Sequence, residues 1–441
     1  MTNEVQSQRK SRRLPAAVWL LSWVSLLADI SGEMMFPLLP LFLVGVLKVS
    51  TVELGAIEGL ALLVVALMSA YAGLRSDRRG PNGGGRVPWI RWGYGLPVLG
   101  KSLIAIAGGW WLVLAGRLLD RLGKGLRGAP RDALIADAVD KSQRGQAFGL
   151  HRAIDTIGAL LGVLISALLL WLLSGSPRGA GSVPATGSVP ATGSDLAPEA
   201  WVYRAVFAVS ALLGLGSWLL TLVIREPQVQ IQITEKDDST LPAISSAASA
   251  EGWAALPKRY WVTLGIFALF GLANSSDAFL LLRAQELGFA PWAVVLVYAL
   301  FNVAYAAASY PAGDLSDRWG RWRMIGVGWG IYVLVYLLFA TLTSEMAWAV
   351  WPLMALYGLY MALTEGVAKA LVGDCAPKAV RGRAMGLFHA INGVSTLLAS
   401  IMVGVVWEVW GARIALLLSG VLCGVALGTC VCWKYYGSKF E

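Results

Sequence analysis

Long apolar stretches follow one another along the chain, separated by short polar breaks. The runs fall at 14–47, 51–74, 88–108, 110–135, 146–174, 201–224, 260–282, 292–312, 322–342, 347–373, 383–408 and 412–434. Most exceed the ~20 residues an α-helix needs to cross a bilayer. The fold class expected from this pattern is an all-α membrane protein with twelve transmembrane helices. The first run is too long for one straight span, and Pro37 and Pro40 are expected to kink or end it.

The longest polar break, 225–259, is rich in Ser and Ala and splits the runs six and six. The organisation expected is a tail at 1–13, a helical bundle at 14–224, a linker at 225–259, a second bundle at 260–434 and a tail at 435–441. The break at 175–200 carries "GSVPAT" twice in tandem, a flexible spacer by its Gly, Ser and Pro content.

Composition agrees with a membrane protein. Only 14% of the 441 residues are charged and 57% are hydrophobic, where soluble domains carry about 25% charged residues. The 20 tryptophans suit interfacial belts. Two histidines and four cysteines without zinc spacing predict no metal site and no cofactor. The basic start "MTNEVQSQRKSRR" precedes a long apolar run without a small-residue cleavage site, so it is read as retained.

The net charge of +9 is topology, not nucleic-acid binding. With the N-terminus placed inside, 23 of the 36 Lys and Arg fall in inner segments and five in outer ones. That asymmetry predicts both termini in the cytoplasm of a cell whose inner membrane holds the protein.

The two halves repeat. "GLRSDR" begins at Gly73 and "GDLSDR" at Gly313. "ALIADAVDKSQRGQAFGLHRAI" begins at Ala133, and "ALVGDCAPKAVRGRAMGLFHAI" at Ala370 aligns with it without gaps. Internal repeats of this kind build many secondary transporters, with the substrate site between repeats near mid-membrane.

On these residues the chain resembles a major facilitator superfamily transporter over its whole helical length. The family's loop signature, approximately G-x-x-x-D-R-x-G-R, is matched by Gly313, Asp317, Arg318, Gly320 and Arg321. Gly73, Asp77, Arg78 and Gly80 match it in the first half, followed by a "PNGGGR" insertion. Arg117 resembles the family's helix-4 arginine. Gly158 and Gly162 fit the family's antiporter pattern G-x-x-x-G-P, but Val163 stands where it has proline. The segments "ADISGEMMFPLLPLFL", "GKGLRGAPRDALIAD", "ANSSDAFLLLRAQELG" and "YGLYMALTEGVAKALVGD" are similar to one bacterial subgroup of efflux permeases, some of them akin to nickel-resistance transporters. The resemblance implies that helices 1, 4, 7 and 10 line a central cavity.

Charged residues inside the apolar runs are the candidate chemistry, since each costs at least about 2.5–3.5 kcal/mol at mid-bilayer. Asp29 and Glu33 share a helix face at i and i+4. Two like charges there repel, so a proton or a cation must offset them, unless a neighbouring helix pairs them structurally. The fourth run carries Arg117, Asp120, Arg121, Lys124, Arg127 and Arg131. Lys124 lies about 21 Å along it from Trp110, past the midplane. Arg117 and Lys124 are expected to line the cavity and to suit an anionic or zwitterionic substrate. Glu365 and Lys369 form an i, i+4 pair in the tenth run, and Asn274 to Asp277 supply polar groups in the seventh. His151 is expected to bond Asp155. Glu58 and Lys101 need partners the sequence does not name.

Gly73, Asp77 and Arg78, with Gly313, Asp317, Arg318, Gly320 and Arg321, are read as gating loops whose acids meet helix ends and arginines between the halves. No Walker, G-x-S-x-G or H-E-x-x-H motif occurs, so an enzyme is not expected. The function expected is proton-coupled export of a small solute (a drug, a metal complex or an organic anion) by a monomer. An importer or uniporter is the alternative, and a non-transporting sensor a remote one.

Overall fold

The computed structural model describes residues 14–76, 85–139, 143–174, 199–225, 256–377 and 381–436. The expected N-terminal tail, Asp77 and Arg78, the "GSVPAT" loop and most of the central linker lie outside the described residues. Among the described residues the chain is helical, without strands.

The first apolar run is not one helix. α1 (Ala16–Met35) gives way to a 3-10 turn (Phe36–Leu38), one α-turn (Leu39–Leu41) and a π-helical segment (Phe42–Val46). Pro37 and Pro40 sit at the second position of the two short turns, where a missing N–H forces the hydrogen-bond pattern to change. There follow α2 (Thr51–Ser76), α3 (Val87–Ala105), α4 (Trp110–Asp137), α5 (Arg144–Leu173) and α6 (Ala200–Thr221). The second half holds α7 (Lys258–Ala273, resuming as Ala278–Glu286), α8 (Pro291–Trp319), α9 (Arg321–Thr341) and α10 (Val350–Cys375). The run Arg381–Tyr436 bends at Gly411, whose φ of 84° no helix accommodates, and is numbered α11 (381–410) and α12 (412–436) on either side.

Two boundaries differ from the expectation. The seventh run breaks at 274–277, where Asn274 leaves helical geometry (ψ 76°). The eighth runs on to Trp319, so Gly313, Asp317 and Arg318 occupy its last turns and not a loop. Those turns are polar and alternate acid with base at i, i+4, which sustains a helix outside an apolar setting. Gly320 then stops it with φ 91°. Among the described residues, nine segments are long and apolar enough to cross a membrane, the last passing through Gly411. The charge-laden α4 and the shorter α3 are not among them.

α1 packs on α5 and α6, α2 on α4, and α3 on α4 and α6. In the second half α7 packs on the 381–436 unit, α8 on α10, and α9 on α10. The two sets meet where α2 lies against α11 and α5 against α8. Small residues make these approaches possible, since helices in lipid associate by close backbone packing. A Cβ on Gly162 would come within 2.4 Å of the Ile30 carbonyl oxygen, and one on Gly158 within 2.8 Å of the Leu26 oxygen. The Leu26 and Ile30 stripe of α1 is thereby pressed to α5. Asp29 and Glu33, three residues on from Leu26 and Ile30 respectively, are turned to a neighbouring face.

α4 is anchored by an ion pair in the protein interior. Arg117 on α4 is 1% exposed and donates Nε to Oε1 of Glu58 on α2 at 3.0 Å and Nη2 to Oε2 at 2.7 Å. Such a fork neutralises both charges and fixes the spacing of α2 and α4. Removing one partner leaves the other charge buried. We expect Glu58→Leu to lower stability by about 3–5 kcal/mol, and the double replacement Glu58→Leu with Arg117→Met to recover most of that loss. Melting of the purified variants in detergent checks this; equal losses in single and double variants would mean the pair contributes by shape alone.

Candidate functional site

The face of α4 that the sequence marks as charged is resolved into separate pairings. Lys101 on α3 donates to Ser31 Oγ on α1 at 2.6 Å and lies 4.0 Å from Asp120. Arg121 Nε lies 3.5 Å from the same Asp120, and the guanidinium groups of Arg117 and Arg121 stand 5.3 and 5.9 Å from the centre of the Phe36 ring. Arg127 reaches Asp29 at 3.8 Å and covers the Tyr94 ring at 4.3 Å. Arg131 donates to Ser25 Oγ at 2.8 Å and lies 3.0 Å from Asp132 and 3.9 Å from Asp155. His151 lies 3.7 Å from Asp155.

Lys124 stands apart. It is exposed, and it makes no hydrogen bond or ion pair among the described residues. It does act electrostatically on both Asp29 and Glu33. Gly32, between those two acids on α1, has no atom within 4 Å of where a side chain would begin. Asp29, Glu33 and Lys124 therefore gather around open space between α1 and α4, whereas Arg117 is buried behind them against Glu58.

Glu33 also ties the halves together. Tyr298 of α8 donates its hydroxyl to Glu33 Oε2 at 3.0 Å, and its ring packs on Phe36 at 5.3 Å between centroids. Further along, towards the α1 C-terminal end, Thr51 donates its N–H and hydroxyl to Glu408 at 3.0 and 2.9 Å. These contacts lie at the end of the bundle away from the 76–87 and 319–321 connections, a side we call the far end; the other is the basic end.

In the second half tyrosines take the part that arginines take in the first. Tyr357 donates to Asp277 Oδ1 at 2.6 Å, Tyr360 to Asn274 Oδ1 at 3.3 Å, and Tyr305 to Glu365 Oε2 at 2.6 Å. Lys369 completes the α10 pair with Glu365 at 2.8 Å. Both remain more than two-fifths exposed although they lie well inside α10. Asn274, Glu365 and Lys369 line one cavity of about 430 Å³ among α2, α7, α10 and α11. Its walls add Phe270, Trp329, His389 and Asn392. Asp277 is not among the lining residues and is engaged by Tyr357.

The four tyrosines and Glu408 were not singled out in the sequence. Tyr298 and Tyr305 recur at i and i+7 on α8, a helical stripe that would have flagged the first two.

At the basic end a contact repeats with the halves. Arg321 Nε meets Asp374 at 2.6 Å, and Arg86 meets Asp137, the residue that aligns with Asp374. Arg321 also lies 3.5 Å from Asp317, and Arg318 lies 2.9 Å from Asp314. These pairs lie within one half, not between halves. Gly73 lies in the last turn of α2, which ends at Ser76, beside the positions outside the described residues.

Comparison with known proteins follows the same lines. The family model described as Major Facilitator Superfamily matches residues 21–366 and 279–439. An uncharacterised MFS-type transporter, MJ1317 of Methanocaldococcus jannaschii, is 30% identical over 92% of this chain and 92% of its own length. The multidrug resistance protein MdtH of Proteus mirabilis is 24% identical over 80% of this chain and 77% of its own. Among solved structures, a nucleoside transporter, NupG, superposes with a TM-score of 0.72 at 14% identity, covering 94% of this chain and 99% of that one. With its paired halves, apolar spans and central polar groups, the chain belongs to the major facilitator superfamily, and is a multi-pass membrane transporter of the secondary kind, not an enzyme.

Proposed function

We propose that this transporter exports a small solute in exchange for protons, acting as a monomer of twelve spans with both termini and the basic end in the cytoplasm of the inner membrane. The bundles 14–224 and 260–434 are the moving bodies of alternating access. The observation that carries this reading is the Tyr298–Glu33 hydrogen bond, which joins the two halves through an ionisable side chain of α1. A carboxylate accepts such a bond more strongly than a neutral carboxyl does. Proton occupancy at Glu33 therefore bears directly on how firmly the far end is held.

Asp29, Glu33 and Lys124 then form the exchange site. A basic group on the solute and a proton compete for the two acids, which makes their passage mutually exclusive. An acidic group on the solute meets Lys124, which has no ion-pair partner among the described residues. Asn274, Glu365 and Lys369 supply a second polar wall, with Phe270 and Trp329 offering aromatic surface to the solute body. Asp277 and Arg117 support these walls from behind. Gly313, Asp317, Arg318, Gly320 and Arg321, with Gly73, Asp77 and Arg78, govern the basic end by making and breaking arginine–carboxylate pairs. The name of the MdtH relative, a multidrug resistance protein, agrees with export.

Val163 in place of the antiporter pattern's proline favours a second reading, import or uniport. Everted vesicles separate the two, using a solute first identified by its effect on melting of the purified protein. Export by exchange gives uptake that requires an imposed inward-acid gradient; uptake indifferent to the gradient overturns proton coupling.

Two variants refine the assignment. Glu33→Gln and Asp29→Asn should each abolish dependence on the pH gradient while solute-for-solute exchange continues. Unchanged gradient dependence in both returns the pair to a structural role. Lys124→Gln should weaken binding of solutes that carry an acidic group by about tenfold, the worth of one charged hydrogen bond, and leave solutes without one unaffected, as read by isothermal titration.

A further inference from the structure

A second concavity lies on the outer face of the first half, away from the exchange site. It has a volume of about 390 Å³ and runs between α3 and α6. Its trough is apolar: Gly95, Val98 and Leu99 on α3 face Leu215 and Leu222 on or just past α6. Gly95 lets the Trp218 indole of α6 close against α3, because a Cβ there would lie 2.9 Å from its Nε1. Trp92 stands at its rim, 65% exposed.

One end of this trough is charged. Arg91 lines it, and it sits four residues after the start of α3, about 6 Å from the basic end of that helix. Leu99 lies about 12 Å deeper. Arg91 gives Nη2 to the Leu222 carbonyl at 3.3 Å, a long contact, while its Nε is shut off from solvent with no hydrogen-bond partner. No acid pairs with it among the described residues.

The polar atoms of the lining side chains belong to Arg91, Trp92 and Trp218. All of them are donors. A pocket that offers donors alone, with a cation among them at one end and an apolar trough leading inward, fits an occupant with an anionic acceptor at its head and a hydrocarbon tail. The depth of Arg91 is that of the phosphate layer once α3 crosses the bilayer, and the trough then runs along the membrane normal.

We propose that this groove is a binding site for one anionic phospholipid, its phosphate on Arg91, its ester oxygens within reach of the indole N–H groups, and one acyl chain laid between α3 and α6. This rests on α3 and α6 crossing the membrane and is independent of the proposed transport cycle. A juxtamembrane cation attracts anionic lipid. A zwitterionic lipid satisfies that cation less well, because its own quaternary ammonium offsets the charge of its phosphate.

The test is native mass spectrometry of the purified full-length protein in detergent, titrated with phosphatidylglycerol or with phosphatidylcholine of the same chains. One phosphatidylglycerol should be retained in preference to phosphatidylcholine. Arg91→Gln should cut that retention about fivefold, and Arg91→Lys should restore part of it. Leu99→Trp fills the trough at an exposed position and should cut retention with Arg91 intact, so a folding defect in Arg91→Gln leaves the question decidable. Glycerol phosphate, which has the head without the chains, should not displace the bound lipid. Equal retention of the two lipids, retention unchanged in both Arg91→Gln and Leu99→Trp, or displacement by glycerol phosphate would each overturn the proposal. So would capture of a copurifying single-span polypeptide in the same groove in place of lipid.

Discussion

An ionised side chain cannot remain inside an apolar slab without a partner of opposite charge or contact with water, and α4 carries more such side chains than any other helix here. Much of the first half can be read as the answer to that constraint. Glu58 comes from α2 to meet Arg117, Ser31 from α1 and Asp120 from α4 itself meet Lys101, and Asp29 from α1 meets Arg127. Each pairing fixes a neighbouring helix against α4. Lys124 is the residue this lattice leaves over, and it faces the space where a solute would bring the missing charge.

The second half meets the same constraint by other means. Its interior acids are fewer, and tyrosine hydroxyls reach them: Tyr357 meets Asp277, and Tyr305 meets Glu365 beside its partner Lys369. A hydroxyl stabilises a carboxylate without cancelling its charge. The two halves thus share a fold and a repeated Arg–Asp contact at the basic end, yet differ in how their interiors are neutralised.

The apolar runs and the repeat were legible in the sequence, because each depends on order along the chain. The residues that bear charge inside the spans were legible for the same reason. Their partners were not. Nothing in local spacing tells Glu58 that Arg117 lies beside it, 59 positions away, or that Tyr298 crosses to Glu33. The break at 274–277 read as a polar patch on a helix, since Asn, Ser and Asp fit both a helix and an unwound segment that satisfies its own backbone. The extension of α8 through Asp317 was hidden by treating a polar stretch as a loop, where i, i+4 pairs hold it helical.

On the proposed cycle, the Glu33–Tyr298 bond also limits how a proton could act. A hydrogen bond to a charged group contributes about 1.5–3 kcal/mol and one between neutral groups about 0.5–1.5. Neutralising Glu33 therefore changes the hold of α1 on α8 by about 1 kcal/mol, roughly a fivefold change in population. Reversal of a two-state equilibrium from one side to the other needs about 5.5 kcal/mol. The proton at Glu33 cannot supply that alone. The remainder has to come from groups that sense the same charge, and the geometry names them: Asp29 one turn away, Lys124 acting on both acids, and Arg127 paired to Asp29. Loss of negative charge on α1 removes the acids that attract Lys124 and Arg127, so α1 would loosen from α4 as well as from Tyr298. On the proposed cycle, coupling is then a property of the α1–α4 lattice as a whole, and no one acid in it suffices without the others.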